Sequence, residues 1–343
     1  MIYGANGYSA QLIIDELLKR GVKPILAGRN REAVEEIADK NNCEFRVFDL
    51  EDQNLISDNL SGMHTVINCA GPFRYTAPQL ISACIISKTN YIDITGEIEA
   101  IEYAWRNNDA AIEAGITLLP SAGFDVIPTD CMAKRLSENI ENPDSLELAI
   151  INNGKISRGT FLTTLEMMKE RGKVRVDKEI IDSKIAEYII DFKSDRLNFK
   201  GVSIPWGDVS SAYYSTGIPN IKVYLAVPKI IFVLRKVLLL LIKLLSVKFI
   251  FNLINKIISK VLSGPDKKTR DESSAIIWGR VKNIKGESST AAFRFIDGYS
   301  LTAVGAADCS QLILSGDIKP GAVTPSIMIG HRYMDQFVKE KII

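Results

Sequence analysis

Tyr3-Gly4-Ala5-Asn6-Gly7-Tyr8-Ser9-Ala10 follows only two residues, and the helical spacing Leu12, Ile13, Leu17, Leu18 comes directly after it. A G-x-x-G-x-x-A turn between strand and helix lets the chain reverse tightly. It also lets backbone N–H groups approach a pyrophosphate at a helix start, while the small third residue brings helix against strand. Gly4, Asn6, Gly7, Tyr8 and Ser9 are therefore the first candidates to hold a dinucleotide. Pro24-Ile25-Leu26-Ala27 reads as the second buried strand of a βαβ unit. Where an NAD-binder carries an acid for the ribose 2′-OH, this chain has Gly28-Arg29-Asn30. Arg29, with Asn30, suits a 2′-phosphate, so the expected cofactor is NADP, with NAD as the alternative.

The alternation continues outward. Phe45-Arg46-Val47-Phe48-Asp49 is a third strand whose terminal Asp49 can reach the adenine side. Thr65-Val66-Ile67-Asn68 is a fourth, running into the small-residue loop Cys69, Ala70, Gly71, Pro72 at the carboxyl ends of the strands, where open α/β sheets bind ligands. Cys69 reads as a small packed residue, since no base accompanies it. Helices over 75–88 and 98–114 alternate with strands at 90–94 and 116–119. The fold class is α/β, a Rossmann-type doubly wound parallel sheet with a second α+β domain. The expected division is 1–130 for the dinucleotide domain, with 300–343 packing back on it, and 131–299 for a substrate domain with strands at 146–151, 275–281 and 291–295.

Several functional classes fall away on composition. Lys plus Arg is 42 against 41 for Asp plus Glu, a net charge of +1, which gives no whole-chain case for nucleic acid as a partner. Five scattered cysteines without a CxxC pair, and two histidines, fit neither a disulfide framework nor a metal centre, so no metal is expected. That cysteine usage and the lack of a leader ahead of the first motif predict a cytoplasmic protein.

Further stretches carry a family likeness. Tyr3-Gly4-Ala5-Asn6-Gly7-Tyr8-Ser9, Asn68-Cys69-Ala70-Gly71-Pro72-Phe73, Tyr91-Ile92-Asp93-Ile94-Thr95-Gly96-Glu97 and Ala122-Gly123-Phe124-Asp125-Val126-Ile127-Pro128-Thr129-Asp130 together resemble the saccharopine dehydrogenase-like oxidoreductases. Within that group the chain is similar to the branch containing trans-acting enoyl reductases. Pro205-Trp206-Gly207-Asp208, Ser215-Thr216-Gly217-Ile218-Pro219-Asn220 and Gly321-Ala322-Val323-Thr324-Pro325-Ser326 add to the likeness, which spans almost the whole chain. The resemblance implies a Rossmann domain, a nicotinamide cofactor and reduction of an imine or activated double bond. In this chain the start of the first strand departs from the family pattern.

Hydride transfer needs a proton carrier near the nicotinamide, past the fourth and fifth strands. That places Pro72, Tyr75, Asp93, Thr95, Glu97 and Asp125 nearby. Tyr75 is the first proton-donor candidate. Asp93, Glu97 and Asp125 can polarise substrate or orient a water, or else cap helices and hold loops. Ser157-Arg158-Gly159-Thr160 can hold a carbonyl or phosphate or serve as an N-cap. Lys173, Arg175 and Lys178 are the nearest approach to a clamp for the several carboxylates of an amino-acid substrate.

One segment stands apart in charge. From Lys229 to Pro265 there is no acid, and seven cations (Lys229, Arg235, Lys236, Lys243, Lys248, Lys256, Lys260) leave −6 for the rest of the chain. Its longest apolar run, 237–242, is too short to span a bilayer. Lys229, Lys236 and Lys243 share one helical face, so 229–262 reads as a basic amphipathic element lying on a membrane, or else as a buried or dimerising helix. The expected activity is NADP-dependent reduction of a lipophilic acyl or enoyl substrate. The alternatives are a saccharopine-type amino-acid reductase and a non-catalytic nucleotide-binding protein on lipid surfaces. Expected partners are the acyl-chain or small-molecule substrate, a membrane surface and a second copy of the chain.

Overall fold

The computed structural model describes residues 1–152, 171–228 and 264–343. They form two compact units, Met1–Cys131 with Gly298–Tyr333, and Met132–Asp297 with Met334–Ile343.

The first unit is built on short, buried strands: β1 Ile2–Tyr3, β2 Leu26–Gly28, β3 Phe45–Val47, β4 Thr65–Asn68, β5 Asn90–Asp93 and β6 Thr117–Leu119. With strand Gly321–Ala322 they make a seven-stranded parallel sheet in the order 321–322, β6, β5, β4, β1, β2, β3. Six of the seven follow the doubly wound 3-2-1-4-5-6 order, which reverses direction between β1 and β4. Although β1 has only two residues, it is central. Ile2 pairs with Leu26 on one side and Ile67 on the other, and the amino group of Met1 donates to Thr65 O at 2.8 Å.

The intervening helices bury one stripe each. Helix α1 (Tyr8–Lys19) buries Ala10, Ile13, Ile14 and Leu17, the i, i+3, i+4, i+7 set of an amphipathic helix. Then come α2 (Arg31–Asn41), α3 (Gln53–Leu60), capped by Asp52, and α4 (Phe73–Ser87). The single helix expected over 98–114 is two, α5 (Ile98–Arg106) and α6 (Asn108–Ala114). Asn107, at φ −99 and ψ 14, leaves helical geometry and is the C-cap of one and the N-cap of the other.

Helix Gly298–Leu314 brings the carboxyl-terminal part of the chain to this unit. It packs at Gly305, where an added Cβ would lie 2.5 Å from Ile127 Cδ1. Arg20 at the end of α1 ties to it, donating to Asp308 at 2.5 Å and Gln311 at 2.8 Å, while Tyr333 donates to the other Asp308 oxygen. The expectation that all of 300–343 packs on the first unit needs correction. Strand Val338–Lys341 pairs antiparallel with Ser288–Phe295, so residues from Met334 onward belong to the second unit.

The second unit is a nine-stranded mixed sheet. Its main path runs Ile189–Lys193, Asn198–Ser203, Asn220–Ala226, Pro143–Asn152, Ala275–Asn283, Ser288–Phe295 and Val338–Lys341, and the hairpin Gly172–Val176 with Glu179–Ser183 pairs off Asn220–Ala226. Among the described residues of this sheet, only Asn220–Ala226 against Pro143–Asn152 is parallel. Phe192, Phe199 and Trp278 form an aromatic cluster with centroids 4.9 to 5.6 Å apart. Helix α7 (Ile127–Ser137) starts in the first unit and carries Met132 and Leu136 into the second. They approach the sheet at Gly279, where a Cβ would meet Leu136 at 2.8 Å and Met132 at 2.9 Å.

Candidate functional site

The glycine turn has the close backbone approaches that its composition requires. Gly4 sits at φ +81, and a Cβ there would lie 2.9 Å from both the N and the Cβ of Ala70, so the end of β1 touches the loop after β4. The N–H groups of Gly4 and Ala5 both donate to Ala27 O, and Gly7 N donates back to Gly4 O. Gly7 is the N-cap of α1 and supplies no side chain, and the first turn of that helix has no acid. The N–H groups at Tyr8 and Ser9 thus begin a helix whose dipole favours an anion. Asn6 is exposed on the turn, and its carbonyl accepts from Gln11 Nε2. Tyr8 is packed edge-on against Tyr299.

At the ends of β2 and β3 the groups are solvent-facing. Arg29 is exposed immediately after β2, where a 2′-phosphate needs its partner. Asn30 also has a local structural role. Its side chain accepts from Ala33 N and caps α2. Asp49 is also exposed, and accepts from Glu51 N. The Tyr3 hydroxyl nearby donates to Phe48 O. Burial pushes that phenol up to about 12, Asp49 adds to the rise and Arg29 opposes it.

The loop Cys69, Ala70, Gly71, Pro72 is held from below. Asn68 Oδ1 accepts from Ala70 N, Thr76 Oγ1 donates to Ala70 O, and Asn68 Nδ2 donates to both Thr76 Oγ1 and Tyr91 Oη. The Gly71–Pro72 peptide is cis. Burial, with Asp93 adding to it, pushes the Cys69 thiol well above its ordinary value. A thiol so protonated is no nucleophile.

Of the four proton-carrier candidates, two serve the scaffold. Glu97 is 1% exposed; its Oε1 accepts from Phe73 N and its Oε2 from Arg74 N and Nε, so it caps α4 from outside that helix. Asp93 Oδ1 accepts from Thr95 N and Ser121 N, and its Oδ2 accepts from Tyr91 Oη. Burial raises the Asp93 carboxyl to about 6 against the pull of these donors, and Glu97 adds to the rise. Asp93 and Glu97 thus make the loop-holding and helix-capping contacts that stand beside their expected part in polarising substrate or orienting a water. Tyr75, on the first turn of α4, is 64% exposed. Asp125 lies over Gly96, where a Cβ would be 3.0 Å from its Oδ2. Burial first, then the Glu97 charge, raises the Asp125 carboxyl to about 7.

Sequence reasoning assigned no role to Asn68, Thr76, Tyr91 or Ser121. One signal was available: Tyr91 and Asp93 stand two apart on one strand and so share a face. Asn68, on the neighbouring strand, joins them only through the pairing Asn68–Asp93 of β4 with β5.

In the second unit, Lys173, Arg175 and Lys178 do not converge as a carboxylate clamp. Lys173 pairs with Asp182 at 3.5 Å. Arg175 is buried, donates to Val209 O and Lys178 O, and stacks 4.3 Å from the Tyr213 ring centroid. Ser157–Thr160 and the segment 229–262 lie outside the described residues. Among the described residues no helix is long and apolar enough to cross a membrane.

Comparison with known proteins agrees with this geometry. Residues 1–119 match the family model of the saccharopine dehydrogenase NADP binding domain. A saccharopine dehydrogenase-like oxidoreductase of Bos taurus is 27% identical over 150 residues, 38% of this chain and 35% of that one. The chain therefore spans about a third of the length of that relative. A lipid droplet localized protein of Caenorhabditis elegans is 24% identical over 252 residues, 62% of this chain and 59% of its own. A trans-acting enoyl reductase of Mycobacterium ulcerans is 27% identical over 164 residues, 44% and 38% of the two chains. Among solved structures, apo saccharopine dehydrogenase (L-Glu forming) from Saccharomyces cerevisiae superposes with a TM-score of 0.64 at 14% identity, over 100% of this chain and 99% of that one. The α/β fold is that of saccharopine dehydrogenase, and the amino-terminal domain is an NADP-binding domain.

Proposed function

We propose that the protein is an NADP-dependent oxidoreductase acting on a neutral, lipophilic acyl or enoyl substrate. The observation that carries this reading is the glycine turn at the start of α1, with exposed Arg29 at the end of β2, in a stretch that matches an NADP-binding domain; the half-buried Asp125 carboxyl, raised by burial and by Glu97, is a candidate proton carrier. When bound, the cofactor supplies the hydride. Gly4, Asn6, Gly7, Tyr8 and Ser9 receive the diphosphate, Arg29 the 2′-phosphate and Asp49 the adenosine side. The loop Cys69, Ala70, Gly71 and Pro72, pinned by Asn68 and Thr76, fits the nicotinamide half.

Two observations favour a lipophilic substrate over a saccharopine-type amino acid. The cations that could clamp several carboxylates are dispersed among the described residues. The sequence of 229–262 is basic and strongly apolar, which suits a peripheral position on a membrane. The name of the Caenorhabditis elegans relative points the same way. A cytoplasmic protein that docks on lipid, alone or as a homo-oligomer, fits this reading.

The test is NADPH consumption across a panel of enoyl thioesters and keto-acid plus amine pairs. Turnover of enoyl thioesters is expected. Turnover of the amino-acid pairs alone would establish the saccharopine-type alternative. Tight NADPH binding with no turnover of either set would favour the non-catalytic lipid-surface protein. Flotation with liposomes containing anionic lipid, with and without 229–262, tests the membrane element.

A further inference from the structure

The loops at the carboxyl ends of β1, β4, β5 and β6 touch one another in sheet order. The turn after β1 meets the loop after β4, since a Cβ at Gly4 would lie 2.9 Å from Ala70 N. The loop after β4 runs into α4, whose start is held by Glu97 from the loop after β5, with Phe73 N and Arg74 N each donating at 2.9 Å. That loop meets the one after β6 at Gly96, where a Cβ would be 3.1 Å from the Asp125 Cβ. Helix Gly298–Leu314 joins the two ends of this series. Thr302 Oγ1 accepts from Phe124 N at 2.9 Å and donates to Gly298 O at 2.8 Å, and a Cβ at Gly298 would lie 2.8 Å from the Phe124 ring. The next residue, Tyr299, packs edge-on against Tyr8, with centroids 5.0 Å apart. Tyr8 opens α1, so the series closes on the glycine turn where it began. The two helices run parallel, because the later residues Asp308 and Gln311 accept from Arg20 just past the end of α1.

Among residues 4–8, Tyr8 alone carries a large packed side chain. Gly4 and Gly7 have none, Ala5 has a methyl group and Asn6 is exposed. Gly7, the N-cap of α1, offers the helix start no side-chain bond. The direction of the N–H groups at Tyr8 and Ser9 therefore rests in part on what holds the Tyr8 ring, and Tyr299 meets that ring at 90°. Backbone donors bind a diphosphate well only when they are already fixed, since ordering them on binding lowers affinity. We infer that Tyr299 is a positioning residue for the cofactor, acting through the Tyr8 ring to fix the start of α1 where the diphosphate of NADP is received. The inference rests on the cofactor reading of the glycine turn given above. It extends the ligand site beyond residues 1–119, the stretch that matches the NADP-binding domain, to a helix that joins the same unit from a later part of the chain.

The experiment compares the parent protein with Tyr299→Leu, Tyr299→Phe, Tyr8→Leu and the double variant Tyr8→Leu/Tyr299→Leu in two readouts. The first is the NADPH Kd by calorimetry. Each single leucine variant should weaken NADPH about 3–10-fold, the range that an aromatic pair supplies. The double variant should bind no more than about twofold below the weaker single variant, because both changes break one contact. Tyr299→Phe keeps the ring and should bind within about twofold of the parent. The second readout needs no cofactor. Gly7 N donates to Gly4 O and Gln11 N donates to Gly7 O, so hydrogen exchange at these two amides reports how firmly the turn is held. Exchange there should be about 3–10-fold faster in Tyr299→Leu, with the amides of α2 unchanged. A lowered thermal midpoint with parental NADPH affinity in Tyr299→Leu means that the tyrosine serves packing alone and overturns the inference. Losses that multiply in the double variant overturn it as well. Should Tyr299→Leu not fold, Tyr8→Leu decides, since the effect runs through the Tyr8 ring, and parental affinity there overturns the inference. A parent that binds no NADPH overturns the cofactor reading of the turn, whereas unchanged exchange in Tyr299→Leu overturns the positioning role, which keeps the two failures apart.

Discussion

The two ends of the cofactor site are made in opposite ways. At β2 and β3 the groups proposed to meet the adenosine half, Arg29 and Asp49, are exposed at strand ends. At β4, β5 and β6 the polar groups, Asn68, Tyr91, Asp93 and Glu97, are buried and bonded to one another or to loop backbone. An exposed charge can be exchanged without disturbing the fold, so it sets affinity and cofactor preference. A buried network cannot, because removing one member leaves its partners desolvated and unpaired. The first end therefore discriminates between ligands, while the second fixes the position of a loop.

The difference is sharpest at Asp93. Asp93→Ala strands Thr95 N, Ser121 N and the Tyr91 hydroxyl in a buried setting, and a loss of ~3–5 kcal/mol is expected. Urea denaturation of the purified protein measures it. A loss under ~1 kcal/mol would mean that the network is solvated and that the contrast between the two ends is false. Asp93→Asn keeps the shape and should cost less, most clearly above about pH 6, where the parent carboxyl must ionise in place.

Gly4→Ala comes next. Its φ of +81 and the 2.9 Å approach to Ala70 make any side chain displace the loop after β4. NADPH affinity by calorimetry should fall by about 100-fold or more, against ~1–3 kcal/mol in stability. Equal NADPH binding by the variant would remove the glycine turn from the cofactor site.

Arg29→Asp acts on the outer end alone. A charge-assisted bond to phosphate contributes ~1.5–3 kcal/mol, so NADPH should weaken by ~10–100-fold while NADH changes little and the thermal midpoint holds. Equal weakening of both cofactors would show that Arg29 does not read the 2′-phosphate.

The same contrast explains what the sequence could and could not reveal. The placement of the glycine turn, Arg29 and Asp49 is legible because each is set by its own local position, at a strand end or a turn. The sheet is legible because short apolar runs alternate with helical spacing. The buried end is different. Glu97 stands just ahead of the helix expected over 98–114, yet it caps another helix whose start lies 24 residues earlier in the chain. Asn68 and Asp93 are quotable as motif letters, but their meeting is a property of the β4–β5 register. The break at Asn107 and the return of Val338–Lys341 to the second sheet were missed for related reasons. A helical periodicity continues through a one-residue break, and a short charged edge strand carries little apolar signal.

Tyr75 gives the smallest expected effect and the most direct challenge to the contrast. It is the residue that local reasoning favours as a proton donor, since a phenol on the first turn of α4 directly follows the cofactor loop. The structure leaves it 64% exposed, whereas Asp125 sits against backbone at Gly96. An exposed phenol on a helix surface has few contacts that would hold it in one orientation toward a substrate, whereas Asp125 is half-buried. Tyr75→Phe should therefore change stability by less than ~0.5 kcal/mol and kcat by less than about threefold. Steady-state rates for Tyr75→Phe and Asp125→Asn, measured side by side on one substrate, decide between the two. If the tyrosine variant loses ~100-fold and the aspartate variant does not, the proton comes from the exposed face of α4, and the buried end of the site is scaffold alone.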